Sequence, residues 1–245
     1  MNTPASPTPP PASSAPVRLL IVDDDPLVRA GLTLMLGGDQ GIDIVGEGAD
    51  GVEVEELVER LRPDVVLMDI RMPVMDGLTA TERLRRRPDA PEVVVLTTFH
   101  ADEQVLRAIR AGAAGFVLKD TPPARIVDSV RRVAAGDPVL SPAVTRQLMV
   151  RAAGGGRDDR ADRAHRARRR FGQLAEREQE VAVAVGRGAS NAEIAASLYL
   201  SVATVKTHVS RILAKLELNN RVQIALLVHD AGLLDTDDGG GSHLG

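Results

Sequence analysis

The sequence contains no cysteine, which excludes disulfides, thiolate zinc sites and cysteine nucleophiles. It contains no uninterrupted apolar run of about 18 residues, the length at which a helix begins to span a bilayer. The first 16 residues, MNTPASPTPPPASSAP, have neither the basic start nor the apolar segment of a secretory signal and read as a disordered Pro/Ser/Ala tail. A soluble cytoplasmic protein is the expectation. Lysine is scarce: 27 of the 30 basic residues are arginine, and the lysines are Lys119, Lys206 and Lys215.

The net charge of -4 conceals an asymmetry. Residues 17–140 carry 15 basic against 22 acidic residues, residues 141–234 carry 15 against 9, and the last eleven residues add three acids. An acidic half joined to a basic half implies two jobs, one of them compatible with nucleic acid. All of the basic excess lies in 141–170, SPAVTRQLMVRAAGGGRDDRADRAHRARRR, a stretch that fits a solvated linker as well as a phosphate-binding arm.

In the acidic half, short β-branched runs alternate with helical patterns. RLLIV (18–22), IDIVG (42–46), DVVLM (64–68), EVVVL (92–96) and GFVL (115–118) predict strands; 26–36, 50–60, 77–87, 102–112 and 122–136 predict helices. Five such units within residues 17–138 predict an α/β doubly wound five-stranded parallel sheet, with its site at the carboxyl ends of the strands. The basic half carries only helical periodicity from residue 171 onward and predicts a small all-α domain of four helices. The glycine-rich AAGGGRDD predicts a flexible joint between the two. The expected division is a tail over 1–16, an α/β domain over 17–138, a linker over 139–170, a helical domain over 171–234 and a second tail over 235–245.

The polar residues at the strand ends carry the chemistry. Strand one runs into Asp23, Asp24 and Asp25, strand three into Asp69, strand four into Thr97 and Thr98, and strand five into Lys119. Topology puts them all on one edge. Carboxylates that close repel one another unless a cation sits among them, and hard oxygen ligands suit magnesium. A carboxylate beside a divalent cation, an ammonium and a hydroxyl is equipped to accept a phosphoryl group. Two of the acids have a simpler reading, since Asp25 before PLVRAGL and Asp76 before Gly77 stand where helix caps stand. In an arginine-biased chain, Lys119 at a strand end fits a need for a compact point charge.

Two rival motifs compete. Gly46, Gly48 and Gly51 have G-x-G-x-x-G spacing between a strand and a helix, the form of a dinucleotide site. That reading leaves Asp23, Asp24, Thr97 and Lys119 without a role. A phosphatase with a D-x-D nucleophile is the other, but Arg71 stands where its second acid would be.

VDDD, MDIRMPVMDG, LTTF and GFVLKD, in this order, resemble the receiver domain of bacterial two-component response regulators, a flavodoxin-like fold. The resemblance implies that Asp69 is phosphorylated by a sensor histidine kinase and that Asp24 binds Mg2+ directly with Asp23 assisting. It implies that Asp69 and the backbone carbonyl of Arg71 complete the metal site, that Thr97 and Phe116 are switch residues, and that Lys119 contacts the phosphoryl group. Phe116 replaces the tyrosine common at its position, and Asp120 follows Lys119 where many receivers have proline.

In the helical half, SNAEIAASLYLSVATVKTHVSRILAKLEL predicts a helix over about 191–198, a tight turn over Tyr199–Ser201 and a longer helix to about 216, a helix-turn-helix capped by Ser201. Ile194, Leu198, Val202, Val205, Val209 and Ile212 are predicted to face its core, leaving Lys206, Thr207, Ser210 and Arg211 on the opposite face. LAEREQEV, this helix pair and NRVQIAL resemble the LuxR-type (NarL/FixJ-class) DNA-binding domain. By that likeness Lys206, Thr207 and Ser210 read bases, with Thr204, His208, Arg211, Lys215 and Arg221 among the DNA contacts, and the last helix pairs two subunits into a homodimer on double-stranded promoter DNA. Ala175 stands where the family has a threonine cap. The implied protein is a regulator rather than an enzyme.

Overall fold

The computed structural model describes residues 15–87, 89–97, 102–139 and 157–234. The expected tails lie outside these residues except at 15 and 16, as do Thr98 and the glycines of the joint.

Five strands form one all-parallel sheet in the order β2-β1-β3-β4-β5: β1 (Val17–Val22), β2 (Ile42–Gly48), β3 (Val65–Asp69), β4 (Glu92–Thr97) and β5 (Gly115–Leu118). The side-chain period of two divides each strand between the sheet faces. Leu19, Ile21, Val65, Leu67, Val94 and Leu96 pack with α1 (Pro26–Leu36) and α5 (Pro123–Ala134). Leu20, Val22, Val66, Met68, Val93 and Val95 pack on the other face with α2 (Val54–Leu61), α3 (Gly77–Arg85) and α4 (Asp102–Ala111). With both faces covered, the central strands need apolar residues at every position, which is why they read as continuous runs. The strand order reverses between β1 and β3. Such a reversal is where doubly wound sheets place their ligand sites, and Asp23 and Asp69 stand at the carboxyl ends of these two strands.

The expected caps are present. The Asp25 carboxylate accepts from the Leu27 N–H at 2.8 Å, and that of Asp76 from Thr79 at 2.7 Å. The glycine motif has a packing explanation instead of a nucleotide. A Cβ on Gly46 would lie 2.5 Å from Leu61 and one on Gly48 2.8 Å from Leu57, so these glycines let α2 approach β2.

The C-terminal part is all helical: α6 (Arg157–Phe171), α7 (Glu176–Gly186), α8 (Asn191–Ser197), α9 (Val202–Lys215) and α10 (Arg221–Asp230). Its core holds Val181, Val185, Ile194, Val205, Ile212, Ile224 and Val228. Leu198 and Val209 pack at its margin, but Val202, at the first position of α9, is 44% exposed and does not face inward as its spacing predicts. The stretch expected to be linker contains α6, a 15-residue helix that joins this core through Ala167 and Phe171. Its Arg168 donates to the Ala231 carbonyl at 2.8 Å.

Ala175 is the N-cap of α7 and supplies no side-chain acceptor; Glu178 returns half of a capping box by accepting from the Ala175 N–H at 2.9 Å. Ala175→Ser should add the other half and stabilise the helical domain by about 0.5–2 kcal/mol. An unchanged denaturation midpoint for that domain would place the effective start of the helix elsewhere.

Candidate functional site

The carboxyl ends of β1, β3 and β5 bring four charged groups together. Asp23 and Asp69 are almost completely buried, and Asp24 is exposed at the rim. Oxygens from all three carboxylates lie within 4.8 Å of one another. Lys119 Nζ sits 2.6 Å from Asp23 Oδ2 and 2.9 Å from Asp69 Oδ1. The second oxygen of Asp69 accepts from the Arg71 N–H at 2.9 Å, which turns the Arg71 peptide around the pocket. Arg29 donates to the Asp23 carbonyl at 2.6 Å and fixes the end of β1.

Burial pushes the Asp69 carboxyl above the usual carboxylate range, with Asp23 adding to the rise and Lys119 opposing it. The same ion pairs raise Lys119 despite the opposing effect of its own burial. The site thus holds more negative charge than one lysine balances. Three hard carboxylate oxygens converging from two strand ends fit a divalent cation that completes its shell with water.

The loop after Asp69 is held by a residue that sequence reasoning missed. Asp50, buried behind the pocket, accepts from the N–H groups of Val74 at 2.9 Å, Met75 at 3.0 Å and Val52 at 3.1 Å. Burial alone would raise its carboxyl; these backbone donors outweigh burial and hold it below its ordinary value. In the sequence Asp50 shows only as a cap before Gly51. Its hold on a loop 24 residues away has no local signature. At the other end of the loop, a Cβ on Gly77 would sit 1.8 Å from the Asp69 carbonyl oxygen, so only glycine lets α3 start there.

Thr97 is buried at the end of β4, on the sheet edge expected of it, and Phe116 is buried in the core beneath α3 and α4.

Helices α8 and α9 form the predicted helix-turn-helix. Ser190 caps α8 in a capping box with Glu193. Ser201 caps α9 by accepting from the Thr204 N–H at 3.1 Å and shares a 2.8 Å hydroxyl contact with Thr204. Tyr199 takes the left-handed turn position at φ 55. Lys206, Thr207, Ser210 and Arg211 are exposed on one side of α9. Each of the other expected contacts, Thr204 included, is at least partly buried or paired within the protein. His208 is half-buried. Lys215 pairs with Glu178 at 2.9 Å. Arg221 is buried between the two domains.

The exposed side of α9 looks toward the α/β domain. Lys206 Nζ reaches the Ala134 carbonyl at the end of α5 at 3.4 Å. Arg221 bonds to Asn191 Oδ1 at 2.6 Å and to the Ala189 carbonyl, and lies 3.5 Å from Asp137 of the α/β domain. Asp137 also accepts from the Asn191 N–H at 3.0 Å. On the far side of the contact, Asn220 is the N-cap of α10 and donates to the carbonyls of Ile109, in the last turn of α4, and of Ala113, just beyond it, at 2.9 and 2.8 Å. Val222 of α10 joins the core beneath α4.

A family model described as the response regulator receiver domain matches residues 19–131, and one described as bacterial regulatory proteins, luxR family, matches residues 172–228. The transcriptional regulatory protein LiaR of Bacillus subtilis (strain 168) is 35% identical over 213 residues, 87% of this chain and 97% of LiaR. The response regulator protein VraR of Staphylococcus aureus (strain Mu3 / ATCC 700698) is 35% identical over 218 residues, 89% of this chain and 99% of VraR. Among solved structures, a two-component response regulator of the LuxR family from Aurantimonas sp. SI85-9A1 is 30% identical with a TM-score of 0.53, covering 57% of this chain and 100% of that one.

Proposed function

The chain belongs to the transcriptional response regulators that join a receiver domain to a LuxR-type DNA-binding domain, and from that premise we propose that Asp69 is its phosphoacceptor and α9 its DNA-reading helix. The observation that carries the first assignment is the convergence of Asp23, Asp24 and Asp69 on Lys119 at the point where the strand order reverses. An Asp69 oxygen attacks phosphorus, the bond from phosphorus to the donor breaks, and the donor's leaving group takes the electron pair. For a histidine kinase the donor is a phosphoimidazole.

Receiver domains generally bind magnesium at an acidic pocket of this kind. Here Asp23, Asp24, Asp69 and the Arg71 carbonyl would hold the ion, which when bound offsets charge on the phosphoryl oxygens. Lys119, already between Asp23 and Asp69, supplies a second cation within reach of an added phosphoryl group. Asp50 keeps the Arg71–Met75 loop in place while charge arrives.

The output half contributes the DNA contacts. Lys206, Thr207, Ser210 and Arg211 form the face that enters the major groove, and two copies read two half-sites as a homodimer. In the docked arrangement that face is turned to the receiver, so DNA binding requires the domains to separate. Phosphorylation can drive separation only by stabilising a receiver conformation that docks less well. DNA affinity at fixed salt, measured with and without phosphodonor alongside sedimentation mass, tests this. Equal affinity and mass in both states would defeat the switch. Lys206→Ala should abolish sequence preference and leave dimerisation intact; preserved sequence preference would defeat the assigned reading face.

A further inference from the structure

A cleft of about 620 Å³ lies between the receiver and the output domain, with α3 and the start of β4 as one wall and α9 as the other. Its size falls within the range of small-molecule sites. Of the charged residues lining it, Arg85, Arg86, Arg87 and Arg211 are cationic and Glu92 alone is anionic. Glu92 is spoken for: it pairs with Arg85 at 3.2 Å, and burial pushes its carboxyl above the usual range. Arg85 in turn donates to the Pro91 and Asn219 carbonyls, which makes it part of the wall. Arg86 pairs with Glu82 at 3.1 Å, and Arg87 with Glu59 at 2.8 Å and Asp89 at 3.7 Å, acids that do not line the cleft. The Arg86–Glu82 pair is exposed, and exposed pairs hold weakly. Across the cleft, Arg211 is exposed and forms no ion pair among the described residues. Between the arginines, Leu213 and Leu218 give an apolar floor and Ser210 a hydroxyl.

We propose that this cleft binds a small polyphosphate anion, its phosphates bridging Arg86 of the receiver and Arg211 of the output domain. Guanidinium groups on opposing walls suit an anion with more than one phosphate, each taken by a planar fork of donors. The site exists only while the domains are docked. A bound anion therefore stabilises the docked form by mass action and opposes DNA, which needs the same Arg211 and Ser210 in the groove. This control acts without Asp69 and adds a metabolite input to the phosphoryl input.

The test is calorimetric titration of the full-length protein with inorganic triphosphate, ADP and ATP, in the presence of a metal chelator so that the acidic pocket does not contribute. Saturable binding to the parent is expected, weakened about tenfold or more by Arg86→Glu and little changed by Arg60→Glu, which reverses an exposed charge on α2 outside the cleft. Inorganic triphosphate binding as tightly as ATP would identify the phosphate chain as the whole ligand; tighter nucleotide binding would place the nucleoside on the Leu213 and Leu218 floor. No saturable binding of any of the three, full affinity in Arg86→Glu, or equal weakening in both variants would overturn the proposal.

Discussion

Asp69→Asn should abolish incorporation of phosphate from a small acyl phosphate, and chelation of divalent cations should suppress incorporation in the parent. The amide keeps the shape of the carboxylate and can still accept from the Arg71 N–H, but it lacks the anionic oxygen that attacks phosphorus. Loss of label would not reflect unfolding. Burial and Asp23 hold the Asp69 carboxyl above its ordinary value in the folded state, so ionisation costs the fold stability as pH rises through the unfolded carboxylate's range. A neutral residue removes that cost, and the variant should melt no lower than the parent at neutral pH. Labelling of Asp69→Asn to the parent's level would transfer the acceptor role to another residue.

The pocket was legible in the sequence because its residues are tied to strand ends. Once Val65–Asp69 is a buried parallel strand, its final carboxylate must sit at the carboxyl edge with Asp23, Thr97 and Lys119, whatever the helices do. Asp50 was not legible, since its partners Val74 and Met75 reach it through the tertiary fold. Helix α6 was hidden for a different reason. RDDRADRAHRARRRF offers only Ala161, Ala164, Ala167 and Phe171 as an apolar stripe, too narrow to announce a helix against so much charge. The face assigned to DNA was correctly exposed on α9, but no pattern within α9 shows that Lys206 would meet the end of α5. Lys215 and Arg221 are assigned to DNA by family likeness, and nothing local announces their ion pairs because their acids, Glu178 and Asp137, are distant in sequence. Docking of two domains depends on matches between surfaces, and one-dimensional periodicity does not encode them.

That docking makes Asp137 the residue whose loss should most increase DNA binding. It is the carboxylate that faces Arg221 across the interface, 3.5 Å away, and it also accepts from the Asn191 N–H at 3.0 Å. Burial already lowers the Arg221 pKa against the support of Asp137. Asp137→Ala would leave that guanidinium buried without its ion pair, a situation relieved when the domains part and water reaches it. Loss of one charge-assisted interaction should weaken docking by about 1.5–3 kcal/mol, roughly tenfold to a hundredfold in the docking equilibrium. Where the undocked form limits binding, apparent DNA affinity rises by up to the same factor, and the further gain on phosphorylation shrinks correspondingly. Removing a negative charge also favours DNA non-specifically, so Asp128→Ala, at an exposed position on α5, is the matched control at the same salt concentration. Tightening in Asp137→Ala well beyond the control supports a docked receiver as the brake on DNA access. Equal tightening in the two variants would assign the effect to net charge, and unchanged affinity in Asp137→Ala would show that the docked arrangement does not limit access to DNA.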